Sequence, residues 1–349
     1  MHVRIAERSI GEGHPTFIIA EMSANHQQDI RLAKRIIEAA KESGADAIKL
    51  QTYTADTMTI DCDNEFFKIK QGTLWDGRTL YDLYKEAYTP WEWQPQLKGY
   101  AEQLGLIWFS TPFDPSAADF LETMDVPLYK IASFEIHDLP LIAHVAAKGK
   151  PILISTGVAT LADIEDAVET CKGQGNDQII LLKCTSAYPA PIEEANLRTI
   201  PHMAQAFGVI TGLSDHTLGI SAPIAAVALG AQVIEKHFTI DRKAGGADSA
   251  FSLEPHEFKQ MVQSVRDVEK ALGKVSYQLT QKAKTQGKVF SRSLFVVKDM
   301  KAGEHFTLEN VRSIRPGDGL HPKYLKEILG KTAKKTISRG TPMRWEWVG

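Results

Sequence analysis

VITGLSDHTLGISAPIAAVALGAQVIEKH, residues 209–237, decides the fold. It opens on one short apolar run, VITGLS (209–214), and closes on another, QVIEKH (232–237), with an Ala/Ile/Val-rich segment at 220–229 between them. Short runs rich in Ile, Val and Leu, without strict alternation, predict strands buried on both faces. Two such strands joined by a helix predict a parallel βαβ unit.

The same texture recurs outward along the chain: TFIIAE (16–21), AIKLQ (47–51), LIWFST (106–111), LYKIA (128–132), PILIS (151–155) and QIILLK (178–183). Helical stretches separate these runs. DIRLAKRIIEAAKES (29–43) spaces its apolar residues helically and runs into Gly44, a C-cap signal. Asp114 or Ser116 is a suitable N-cap for a helix reaching Met124. Residues 160–172 and 257–272 also read as helices. Eight βα repeats predict an α/β protein, a (β/α)8 TIM barrel over residues 1–274, with a doubly wound open sheet as the alternative.

One connection is long. Residues 52–105 include IKQGTLWDGRTLYDLYKEAYTPWEWQPQ (69–96), rich in Trp, Tyr and Asp. Such a loop suits a sugar-facing lid; a plain helical insertion is the alternative. Beyond the barrel, polar residues 275–288 predict a linker. From 289 to 349 the runs SRSLFVVKDMKAGEHF, VRSIRPGDGLHP and KKTISRGTPM predict short strands broken by Gly and Pro. About 60 residues form a marginal core, so this small domain is expected to dock on its own chain or a partner.

A net charge of -3 over 349 residues gives no nucleic-acid footprint. Cys62, Cys171 and Cys184 match neither a disulfide framework nor a zinc site. With no signal-peptide pattern and no membrane-length apolar run, the reading is a cytoplasmic protein.

The strands end in polar groups: Glu21; Lys49 and Gln51; Ser110 and Thr111; Lys130 and Ser133; Ser155 and Thr156; Lys183; Ser214 and His216; Glu235 and His237. Strand carboxyl ends converge on one face of a βα barrel, where active sites lie. Residues two apart share a strand face, so Lys49 points with Gln51, Ser214 with His216 and Glu235 with His237. Lys49, Lys130 and Lys183, with hydroxyls at Thr111, Ser133, Ser155 and Ser214, suit a carboxylate-plus-phosphate ligand. Ion pairing to Glu21, Glu135 or Glu235 is the structural alternative, and a Schiff-base lysine a third. His216 and His237 fall on adjacent strands, about 4.8 Å apart, and can hold one divalent ion with open positions. The alternative is two satisfied core histidines. Asp248, after Gly245 and Gly246, sits in a loop that either folds over a ligand or stays solvated.

These residues lie in FIIAEMSANH (17–26), GADAIKLQTY (44–53), YKIASFE (129–135), ISTG (154–157), LKCTSAYP (182–189), GLSDHT (212–217) and EKHFTIDR (235–242), with RSIRPGDGLHPK (312–323) near the end. Through them the chain resembles the sialic acid synthase family over nearly its whole length. The resemblance implies a barrel followed by an antifreeze-like (SAF) domain. It also implies a divalent metal such as Mn²⁺, with Mg²⁺ or Co²⁺ as substitutes, and a domain-swapped homodimer. By that resemblance, phosphoenolpyruvate lies near Lys49, Thr111, Lys130, Ser133, Ser155, Ser186 and Ser214. His216 and His237 are the implied metal ligands. Gln51, Glu135, Tyr188 and Asp248 face the sugar, Arg315 arrives from the partner chain, and Glu21 or Glu135 is the base. Ser186 stands where sialic acid synthases carry Asn; it is shorter and lacks the amide donors. Within that resemblance, Ser186 and the segment GTLWDGRTLYDLYKEAYTPWEW (72–93) point to the branch for which the implied sugar is a 6-deoxy-diacetamido-altrose. The implied reaction joins phosphoenolpyruvate to that aldehyde with C–O cleavage and release of phosphate. Synthesis of N-acetylneuraminic or legionaminic acid is the alternative, and a class I aldolase a more distant one.

Overall fold

The computed structural model describes residues 2–70, 72 and 75–349. Gln71, Thr73 and Leu74, which belong to the expected lid, lie outside the described residues. The chain divides into two units, Met1–Gly273 and Lys274–Gly349.

The first unit opens with an antiparallel hairpin, β1 (His2–Ile5) and β2 (Arg8–Gly11), which the sequence reading did not anticipate. Eight strands follow: β3 (Phe17–Glu21), β4 (Ala47–Thr52), β5 (Ile107–Pro112), β6 (Tyr129–Ile131), β7 (Ile152–Ser155), β8 (Ile179–Cys184), β9 (Ile210–Asp215) and β10 (Val233–His237). Each pairs in parallel with its neighbours, and β10 pairs with β3 to close the ring. Closure leaves no edge strand. Barrel closure excludes the open doubly wound sheet.

Every strand buries two faces, which is why its sequence lacks alternation. Inward, Phe17, Ile19, Ala47, Phe109, Leu128, Leu153, Ile180, Leu182, Ile210 and Val233 form one core, joined by Val3, Ile5 and Ile10 of the hairpin. The hairpin thus plugs the end opposite the strand carboxyl termini. Outward, Ile18, Ile48, Leu50, Trp108, Tyr129, Ile131, Ile154, Leu181 and Ile234 pack under the helices. At Gly212 of β9 an added Cβ would lie 2.3 Å from the Val233 carbonyl, so the β9–β10 contact requires glycine.

Capping fixes the helix starts. The Asp29 carboxylate accepts from the Arg31 N–H and starts helix Ile30–Glu42. Asp114 accepts from Ser116 and Ala117 to start Pro115–Thr123, and Thr160 forms a capping box ahead of Leu161–Gly173. Helix Pro255–Leu272 runs 18 residues and begins two before the expected Glu257, since Pro fits the first turn.

The long connection is helical and also lines a cavity. It holds short helices Ala55–Met58 and Leu80–Ala87 before the barrel helix Gln94–Gln103. In the second unit, β11 (Ser293–Val296) pairs antiparallel with β12 (Val311–Ile314). Leu294, Val296, Met300, Phe306, Val311, Ile328, Ile337 and Met343 form its core. Residues 275–288, expected as a linker, enter a helix, because Thr280 caps Gln281–Phe290. One expectation is corrected here. The run at 334–343 makes only isolated bridges, Met300 to Ile337 and Phe295 to Pro342, because Gly340 and Pro342 interrupt it. No helix among the described residues is long and apolar enough to cross a membrane.

Candidate active site

Strand parity brings the polar ends together. Glu21, Lys49, Thr111, Lys130, Ser155, Ser214 and Glu235 each lie two or four residues beyond an inward-facing core residue in the same strand or immediately before it, and all are buried. They therefore share the barrel interior with the core, at its carboxyl-terminal end. Lys183 does not join them. It follows outward Leu181 by two, and its ammonium donates to the Cys184 carbonyl at 2.5 Å and to Thr185 Oγ1 at 3.2 Å. Its place in the lysine cluster is a correction: the inward position at the end of β8 belongs to Cys184.

The two remaining lysines differ. Lys49 Nζ lies 2.8 Å from Glu21 Oε2 and 3.5 Å from Glu235 Oε1, and donates to Thr111 Oγ1 at 3.2 Å. It is ion-paired, as the structural alternative has it. Lys130 Nζ instead donates to Ser155 Oγ at 2.6 Å and the Ile131 carbonyl at 3.0 Å. Among the described residues it has no carboxylate in ion-pair contact. Burial lowers its pKa, and the neighbouring charge of Lys49 lowers it further, partly offset by Glu235. A buried cation with neutral partners is an anion site in waiting.

The carboxylates separate by environment. Burial raises Glu21 to about 7, against the pull of Lys49 and with the push of Glu235. Burial likewise raises Glu135, in the turn after β6, to about 7, against Lys130. Burial would raise Glu235 as well, but Lys130 and Lys49 outweigh it and hold that group below its usual range. Ser214 Oγ donates to Glu235 Oε1 at 3.3 Å. Several buried atoms have no hydrogen-bond partner: Glu21 Oε1, Glu135 Oε2, Glu235 Oε2, Asn25 Oδ1 and His237 Nδ1. Native interiors rarely leave so many orphans in one place unless a ligand satisfies them.

The two imidazoles meet across β9 and β10, ring centres 5.3 Å apart. His216 Nδ1 lies 3.0 Å from the Thr185 carbonyl, which fixes it as an N–H and leaves Nε2 as the atom that can ligate when the ring is neutral; burial opposes the charge, but the nearby Cys184 and the Thr185 carbonyl raise its pKa. Burial, with His216 and the lysines nearby, holds the His237 pKa well below normal, so that ring is neutral. Tyr188 packs 4.4 Å from the His216 ring and Phe251 4.9 Å from His237. Among the described residues no three His, Cys, Asp or Glu frame a metal. The site offers two nitrogen ligands, not a cage.

Above this layer lies a cavity of about 960 Å³. Gln51, Glu135, Ser186, Tyr188, His237 and Asp248 line it, with Met58, Phe66, Leu80, Leu83 and Tyr84 from the long connection. Asp248 is not a solvated loop residue: its carboxylate accepts from Ser23 Oγ and, at 3.5 Å, from the Ala24 N–H. Ser133 Oγ accepts from the Gly157 N–H at 3.1 Å. A Cβ on Gly157 would lie 2.1 Å from Ser186 Oγ, so the backbone there borders the site directly. Arg315 follows β12 in the second unit.

Sequence reasoning placed Glu235 at the barrel mouth, paired with His237, but gave it no substrate or catalytic role. Ser23, Asn25, Cys184 and Tyr84 were missed for want of any spacing signal.

Residues 36–277 match the model of the NeuB family and residues 291–348 that of the SAF domain. The chain is 48% identical to the pseudaminic acid synthase of Helicobacter pylori, over 94% of this chain and 96% of that one. It is 49% identical to the pseudaminic acid synthase of Campylobacter jejuni, over 94% and 95%. Among solved structures it is similar to the N-acetylneuraminic acid (sialic acid) synthetase of Leptospira borgpetersenii in complex with citrate: TM-score 0.74, 32% identity, 82% of this chain and 95% of that chain.

Proposed function

This chain belongs to the NeuB family, and from that premise we propose that it makes pseudaminic acid by condensing phosphoenolpyruvate with 2,4-diacetamido-2,4,6-trideoxy-L-altrose. The observation that carries this reading is Lys130, a buried ammonium bonded only to neutral groups beside Ser155 and the Ser133–Gly157 pair. A phosphate or carboxylate of phosphoenolpyruvate supplies the charge it lacks. The near-full-length identity to two pseudaminic acid synthases supports the sugar.

C3 of phosphoenolpyruvate attacks the open-chain aldehyde carbon, water adds at C2, and phosphate leaves with its bridging oxygen by C–O cleavage. Glu135 is the base that takes the proton from that water. It lines the cavity, keeps an unpartnered oxygen, and has a pKa near the working range. Glu21 is the poorer base because Lys49 occupies it. Lys130 and the hydroxyls at Thr111, Ser133, Ser155, Ser186 and Ser214 orient the anion; Gln51, Tyr188 and Asp248 face the sugar.

His216 and His237 fit a divalent ion such as Mn²⁺: both are buried, and His237 has an unpartnered ring nitrogen. Such an ion supplies Lewis acidity at the aldehyde oxygen when bound.

The working unit in this reading is a homodimer in which the partner's C-terminal unit covers the barrel mouth and brings Arg315. Phe134, Leu161, Ile192 and Leu218 support it. They follow β6, β7, β8 and β9 around the mouth and stay 55–64% exposed, an apolar rim fit for a cover. Three free thiols suit a reducing cytoplasm.

The test is phosphate release from phosphoenolpyruvate against a panel of diacetamido and N-acetyl hexose aldehydes, with and without chelator. The trideoxy-altrose should give the highest kcat/KM, and chelator should stop turnover. Bridging ¹⁸O should leave in phosphate. No release with any aldehyde, or label kept in the keto acid, refutes the reaction.

A further inference from the structure

Behind the histidine pair, on the outer face of the barrel, lies a second polar group. Lys236 of β10 is fully buried, and Asp215 of β9 nearly so. They face each other in register, Nζ to Oδ2 at 2.5 Å. Asp215 Oδ1 also accepts from the Thr217 N–H at 3.0 Å, and its Oδ2 from Thr217 Oγ1 at 3.1 Å. Lys236 donates besides to the Thr217 carbonyl. Both chain neighbours of His216 are therefore bonded to the chain neighbour of His237.

β9 ends at Asp215, so His216 lies past the ladder and lacks strand hydrogen bonds on its β10 side. On the β8 side the His216 carbonyl accepts from the Ala190 N–H at 2.9 Å and its ring Nδ1 donates to the Thr185 carbonyl. On the β10 side no backbone bond among the described residues sets its distance from His237. Here the ammonium reaches across from β10 and grips the turn from both sides of His216. An ion pair buried so completely is no efficient source of stability, since desolvation consumes most of its Coulomb gain. Its arrangement suits positioning instead.

We propose that Lys236 and Asp215 form a clamp that sets the spacing of His216 and His237, making both of them positioning residues for the divalent ion. This rests on the metal reading above. Outer groups that orient ligating histidines typically govern metal affinity by about 10- to 100-fold.

The test uses the full-length chain and Mn²⁺, with free ion followed by electron paramagnetic resonance and stability by thermal midpoint. Lys236→Met should lower Mn²⁺ affinity at least about tenfold and lower the midpoint, because it strands a buried carboxylate. The double variant Asp215→Asn with Lys236→Met buries no charge, and Asn can still accept from the Thr217 N–H. Its midpoint should return toward wild type while the affinity stays at least about tenfold weaker. An affinity that recovers together with the midpoint, or one unchanged in Lys236→Met, overturns the clamp. His216→Ala serves as the control. If it binds Mn²⁺ as wild type does, the metal reading itself falls; if it binds poorly while the Lys236 variants bind normally, only the clamp falls.

Discussion

Lys49 Nζ sits 2.8 Å from Glu21 Oε2 inside the barrel, on neighbouring strands in register, with both side chains almost fully buried. The ammonium holds two carboxylates at once, because Glu235 lies on its other side. This removes Lys49 from the set of free cations and leaves Lys130 as the anion-seeking group.

Lys49→Met should therefore be costly in a way Lys130→Met is not. Removing Lys49 takes the direct ion-pair partner from both Glu21 and Glu235, and stability should fall by about 3 kcal/mol. Lys130→Met breaks no direct ion pair and should cost less stability than Lys49→Met, yet raise KM for phosphoenolpyruvate by about tenfold or more. Urea unfolding and steady-state kinetics separate the two. Equal stability losses would mean that Lys130 is a structural lysine as well.

Turnover should rise with pH through about 7, the range to which burial lifts the Glu135 carboxyl. A base works only when deprotonated, so the limb ascends from acid to neutral. Glu135→Gln should cut kcat by about a hundredfold or more and flatten that limb. A limb that survives in Glu135→Gln but vanishes in Glu21→Gln would move the role to Glu21.

Gly157→Ala should disturb anion binding without touching a charged group. Its Cβ would fall 2.1 Å from Ser186 Oγ and 2.8 Å from Ser133 Oγ. Both hydroxyls would have to swing away. KM for phosphoenolpyruvate should rise about tenfold, worth about 1.4 kcal/mol, with little change in the thermal midpoint. An unaltered KM would place the anion elsewhere.

His26 makes stability depend on pH. It is fully buried, its Nδ1 accepts from the Gln28 N–H, and its Nε2 meets Thr89 Oγ1 at 3.0 Å. Burial lowers its pKa from 6.5 to about 4. Above pH 6.5 the ring is neutral in both folded and unfolded chains, and the full contribution is present. As pH falls from 6.5 toward 4 the unfolded chain takes up the proton first, so stability drops, by up to about 3 kcal/mol. Denaturation midpoints at pH 7.5 and at about 5 should reveal it, and His26→Gln should be less sensitive. Equal pH dependence in the variant would assign the effect to other groups.

The sequence by itself determined the barrel. Doubly buried strands carry their own signature, as TFIIAE and VITGLS do, and each strand fell within two residues of its expected place. It also announced which strand-end side chains converge, because period-two parity aims Lys49 with Gln51 and Glu235 with His237 whatever the surroundings. Tertiary structure alone decided the rest. Parity can be counted only once a strand's register is known, so Lys183 and Cys184 at the end of β8 exchanged roles. Whether a buried lysine is neutralised depends on which strand lies beside it: Glu21 and Glu235 flank Lys49 only because β3 closes against β10. Ser23, Asn25 and Asp248 come together through loops far apart in the chain, where no local period exists to betray them.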